Sequence, residues 1–250
     1  SDQGLHLQSL AHADFGAADT GLDALMEEYC AGRGSWDAGG GPALVAQHCQ
    51  GTQIQACPAA MTRNGLTKYE AQHLWSAPAL VGRKNALGAA RTTALRARLR
   101  CGWNDTFAPP KYMAAFALGY LGEDAGARTF LEGIIAGTGS ADDKLVAKAS
   151  LLLMGRAADR TAWGADVAAG LGNASDYVAS VCAGALGIVD HDDTAVTNVL
   201  LAKARWVCPG SCDTPDDARP FFAAHILSIV SWDRRGYAPA ANDVGDPSYF

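Results

Sequence analysis

The chain has no run of 18 consecutive apolar residues, so no segment of it is expected to cross a bilayer as a helix. Leu151-Leu152-Leu153-Met154 is far too short for that and lies between charged residues. Charge is scarce: only 18% of the side chains are Asp, Glu, Lys or Arg, too few for a disordered polyelectrolyte or a charge-laced coiled coil. A basic excess is also missing. The 20 Lys and Arg against 26 Asp and Glu give a net charge of -6, which repels nucleic acid at long range.

Signature motifs are absent as well. The glycine-rich stretch from Gly32 to Gly41 has neither a Gly-Lys-Ser/Thr continuation nor a preceding strand, so it is not a phosphate loop. Asp190-His191-Asp192-Asp193 offers oxygen donors and an imidazole, but lacks the alternating ligands and closing Glu of an EF-hand. It reads instead as a turn whose Asp192 or Asp193 caps the next helix. No serine-histidine-acid order, zinc-helix motif, dinucleotide fingerprint or paired carboxylates stand out. No cofactor is therefore expected, and no reaction is assigned.

What is present is apolar periodicity. Of 250 residues 49% are hydrophobic, ample for one large domain or two small ones. Lys111 to Gly137 carries Met113, Phe116, Ala117, Tyr120 and Leu121 at one-turn spacing, a break at Gly122-Glu123-Asp124, then Phe130, Leu131, Ile134 and Ile135. This spacing predicts a hairpin of two short helices whose apolar stripes face each other. Similar patterns recur at Ala147 to Gly170 and Ala179 to Ala204. Leu121-Gly122 aligns with Met154-Gly155 after a shift of 33 residues (155 − 122), and Leu118-Gly119 with Leu186-Gly187 after 68 (187 − 119). A hairpin this small cannot hide its apolar faces alone, so copies must stack.

Small residues along a first helix, an apolar-Gly step, an acidic turn and a second apolar helix resemble the HEAT repeat group. Leu118-Gly119-Tyr120-Leu121-Gly122-Glu123-Asp124 is similar to the short HEAT-like units of the phycobilisome-lyase type, with the resemblance running from residue 111 to about 233. The units depart from that pattern in being Ala-rich and in lacking Pro at the start of most second helices. The resemblance implies an all-α, HEAT-like α-solenoid of stacked antiparallel hairpins that binds proteins and occasionally grips a cofactor. No catalytic residue carries over. The expected organisation is a helical, disulfide-containing part at 1–108, HEAT-like helical repeats at 109–235 and an irregular tail at 236–250, with one continuous domain as the alternative. Gly102 to Pro110, with two prolines, marks the break.

Seven cysteines add a second constraint. Cys208-Pro-Gly-Ser-Cys212 encloses a tight turn and Cys49 to Cys57 a polar loop, so both suit disulfide loops outside helices. Cys30 and Cys101 offer a third bridge, whereas Cys182 lies in an apolar helix as a free, buried thiol. Zinc is the competing use of Cys208 and Cys212, joined by His48, Cys49 or Cys57; the spacing is not that of a zinc knuckle, and no metal is assigned. The disulfide reading places the chain outside the cytoplasm, secreted or periplasmic, as a disulfide-stabilised fold.

Candidate binding residues are Arg91, Arg96 and Arg100, on a stretch from Arg83 to Arg100 with six basic and no acidic side chains, together with Trp36 in the glycine-rich loop. The basic helix could meet an anionic surface; the favoured alternative pairs it with Glu123, Asp124, Asp142 or Asp143 of the neighbouring hairpins. Asn104-Asp105-Thr106 and Asn173-Ala174-Ser175 fit the glycan acceptor pattern. His225, on an apolar helix beginning near Pro220, reads as a hydrogen-bonded core histidine. The functional expectation is a binding or scaffold module for a protein or surface partner. The alternative is an enzyme or cofactor lyase, for example a helical toroid acting on polysaccharide. Its groove would lie between the amino-terminal half and the repeats and would draw on Trp36, Arg91, Asp190, His191 or His225.

Overall fold

The computed structural model describes residues 88–104, 108–204 and 219–234. Among these residues every regular element is a helix and none is a strand. The order is α1 (Gly88–Gly102), α2 (Ala108–Tyr120), α3 (Ala125–Ala136), α4 (Ala141–Leu153), α5 (Ala157–Ala169), a 3-10 turn (Gly170–Gly172), α6 (Asp176–Val189), α7 and α8 (Arg219–Arg234). α7 is a rod of three segments, α-helical Asp193–Ala195, π-helical Val196–Leu201 and α-helical Ala202–Ala204.

The starts of these helices follow from local chemistry. Asp124 Oδ1 accepts from Ala127 N at 2.8 Å, Ser140 Oγ from Asp143 N at 3.0 Å, and Asp192 Oδ1 from Ala195 N at 3.0 Å, capping α3, α4 and α7. Pro109 and Pro110, expected as part of a chain break, instead occupy the first turn of α2 and are buried. The lost N–H groups are ones that a helix start leaves unpaired anyway, so the two rings start the helix and do not interrupt it.

The expectation that the two helices of a hairpin face each other holds for α4 with α5 and for α6 with α7, and is corrected for α2 with α3. α2 touches α3 only sparingly; both pack on α4, as do α5 and α6. α4 is therefore the hub. α2 is buried from Pro109 to Tyr120 apart from Lys111, and α6 from Val178 to Ile188, so neither has a wet face. α2 is enclosed by α1, α4 and α6, and α6 by α4, α7 and α8. α3 and α5 form an outer layer, burying only Ala127, Arg128 and Leu131, and Asp159 and Val167.

Small residues set the spacing of the inner layer. A Cβ on Gly119 would lie 2.2 Å from the carbonyl oxygen of Ser150, so α2 and α4 meet backbone to backbone. The hydroxyls buried there are satisfied within their own helices, Ser150 Oγ donating to Val146 O at 2.9 Å and Ser180 Oγ to Asp176 O at 2.7 Å. Gly184 admits Ile226 and Phe116, and Phe222 meets Tyr177 edge-on, which seats α8 on α6.

The 33-residue shift reappears in the turns. Gly122 and Gly155 both have left-handed backbone, φ 84° and 87°. Each closes its turn with the same bond at 3.0 Å, Gly122 N to Gly119 O and Gly155 N to Leu152 O. In the third turn the left-handed residue is His191, φ 50°. A side chain there carries the steric cost that glycine avoids.

These contacts separate backbone from packing effects. Gly122→Ala and Gly155→Ala, whose Cβ would meet nothing within 4 Å, should each cost about 1–2 kcal/mol of unfolding free energy. Gly119→Ala should cost about 3 kcal/mol or more, and His191→Gly should gain about 0.5–1 kcal/mol. Urea unfolding of the four variants measures all of this.

Candidate functional site

The densest assembly of charge on the described surface forms where the first turns of α3 and α5 lie side by side. Arg128, in the first turn and a half of α3, is buried with 7% of its surface exposed, and Asp159 in the first turn of α5 with 6%. The guanidinium grips Asp159 through a fork, Nη1 to Oδ1 at 2.8 Å and Nη2 to Oδ2 at 2.7 Å. Its other edge holds Glu123 of the preceding turn, Nε to Oε1 at 3.1 Å and Nη2 to Oε2 at 2.7 Å. Arg156 closes the ring on Glu123, and Glu132 stands 3.6 Å from Arg128 Nη1. Hydrogen bonding to Arg128 holds the Glu123 carboxyl below its ordinary pKa, against a smaller opposing effect of burial.

A second cluster lies at the start of α2 and α4. Lys111 Nζ pairs with Asp143 Oδ1 at 2.8 Å and sits 4.5 Å from the centroid of the Trp103 ring. Burial, with the charges of Asp143 and Asp142, pushes the Tyr112 phenol well above its ordinary pKa. Asn173 Nδ2 donates to Asp142 Oδ1 at 3.0 Å while its Oδ1 accepts from Ser175 N at 2.7 Å. Both ends of that amide are thus engaged in the fold, whereas Asn104 is exposed at the end of α1.

The charges of the basic stretch are turned partly inward. Arg96 Nη2 donates to Leu121 O at 3.3 Å and its Nη1 lies 3.6 Å from Asp124, so this residue helps fix the turn before α3. Arg100 lies against the first turn of α3, its Nη2 3.1 Å from where a Cβ on Gly126 would be. Arg91 is half-buried on α1. Trp36 lies outside the described residues.

In the acidic turn, Asp190 pairs with Arg160 of α5, Asp192 caps α7 and His191 is exposed. His225 is buried on α8. Asp176 receives Lys203 and, at 3.9 Å, Arg219, while Asp166 receives Lys148. The carboxylates of these clusters spend their lone pairs on lysines, arginines, amides and helix caps. Among the described residues no group of three or more His, Cys, Asp and Glu stands close enough to hold a metal ion. No helix there is long and apolar enough to cross a membrane.

Of the two cysteines among the described residues, Cys182 is a free, buried thiol and Cys101 is not free. Cys30, Cys49, Cys57, Cys208 and Cys212 lie outside the described residues, and with them the expected pairings. Burial, and secondarily the charge of Asp142, pushes the Cys182 thiol up to about 12.

Arg128 is the residue that sequence reasoning missed. Its signal was faint: Glu123 and Arg156 are 33 residues apart (156 − 123), the same shift as the turn glycines, so charges of opposite sign recur at equivalent places.

Two outcomes follow from the titrations. Alkylation of native Cys182 at pH 8 should be at least about tenfold slower than after denaturation, because the buried thiol forms little thiolate; mass spectrometry of the labelled peptide reads this. Glu123, whose folded pKa is lowered, contributes stability that is present above the ordinary carboxylate range and is lost as pH falls through the lowered value. Urea midpoints should therefore drop on acidification below about pH 4, and Glu123→Gln should reduce that drop. Comparison of the chain with protein-family models, curated proteins and solved structures gives no match.

Proposed function

We propose that the chain is an extracytoplasmic helical-repeat module of HEAT-like type, a short α-solenoid that binds a protein partner. The observation that carries this reading is the recurrence of one turn geometry, at Gly122 and Gly155, together with ion pairs that join each unit to the next. Glu123–Arg156, Arg128–Asp159, Lys111–Asp143 and Arg160–Asp190 all link residues about one unit apart. Such an array presents a continuous outer surface whose function is shape and not chemistry.

Between the two partner types, the inward use of Arg96 favours a protein over an anionic surface, because that charge already holds the turn before α3. The outer helices also favour a protein. They expose small side chains, among them Thr129, Gly133, Thr161, Ala162 and Ala165, which let another backbone approach closely. What supports placement outside the cytoplasm is the cysteine spacing in the sequence, which suits disulfide loops at 49–57 and 208–212.

Affinity capture from an extracellular or periplasmic fraction, with the bound proteins identified by mass spectrometry, tests the reading. One partner should be enriched by the native chain and lost with Thr161→Arg/Ala165→Arg, at unchanged thermal stability. Enrichment of no macromolecule, together with a rise in melting temperature on adding a small ligand, would replace the scaffold reading with that of an enzyme or carrier.

A further inference from the structure

The inner and outer layers are held by different forces. α2, α4 and α6 are locked by buried apolar side chains and by the Gly119 to Ser150 backbone contact. The outer helices α3 and α5 each ride on α4 and barely approach one another. Their direct tie is the Arg128 fork on Asp159, braced by Glu123 and Arg156 where the two helices begin. Beyond it α3 exposes Glu132, Gly133 and Ala136, and α5 exposes Ala162, Ala165, Asp166, Ala168 and Ala169. Among the described residues no ion pair joins these later turns to one another.

We infer that the Glu123, Arg128, Asp159 and Arg156 cluster is an ionic latch that sets the spacing of α3 and α5. Opening it frees the outer layer while the inner layer stays folded. The latch is polar and directional, so it is either made or broken, whereas the apolar contacts on α4 weaken gradually as helices slide. Strain imposed on the outer surface is then released at this one place. The inference rests on packing alone and stands apart from the identity of any binding partner.

Hydrogen exchange read by mass spectrometry on the full chain tests it. The Arg128→Met/Asp159→Leu variant removes both charges, so it leaves no unpaired buried ion. Amides of α3 and α5 should exchange at least about tenfold faster than in the native chain, with those of α2, α4 and α6 unchanged. Should the double variant fail to fold, Glu123→Gln removes a partly exposed member and should produce a smaller acceleration in the same two helices. A uniform loss of protection in all five helices, or no change in α3 and α5, would overturn the latch.

Discussion

At Gly119 the backbone of α2 lies against the carbonyl of Ser150, so close that even a methyl group has no room. Met113, Phe116 and Tyr120 of the same helix are fully buried, and the close approach helps α2 to be buried almost to its full length. Everything outside this contact is arranged around it. α3, α5 and α6 meet α4 on its remaining sides, and α8 reaches the same core through Gly184 and Phe116. Tyr120 marks the edge of that core, its hydroxyl bonded to Asp233 at 3.0 Å. Close packing of small residues gives many weak contacts that sum, and it also makes the layer stiff.

The turns were the most legible feature. Gly122 and Gly155 could be aligned from sequence because a left-handed residue after an apolar helix strongly favours glycine, a preference set by the local backbone. The third turn was harder to align, since His191 holds the same backbone with a residue that carries no such signature. The prolines misled for a related reason: Pro109 and Pro110 look alike at a break and at a helix start, and only the neighbours of α2 decide which. The facing stripes of α2 and α3 were misread because periodicity shows that a helix has an apolar side, not which helix covers it.

The candidate site was less legible than the fold. Arg128 and Asp159 are 31 positions apart (159 − 128), and neither stands in a motif; only folding makes them neighbours. The acidic turn at Asp190 and the basic stretch at Arg96 drew attention as concentrations of one residue type. Both are used largely to join helices, through Arg160 and Asp124 respectively. In a chain with only 18% charged residues, most of the ionic groups named above serve cohesion.

The π-helical segment Val196–Leu201 has a consequence of its own. A wide turn of this kind accommodates one residue more than an α-helix does, which rotates the residues after it by about 100° about the axis. Val199 and Leu200 remain in the core, yet Leu201 is carried round to solvent and is 41% exposed, the one large apolar side chain so placed among the described residues. Among the described residues Leu201, the last residue of the wide turn, is thus the lone greasy spot.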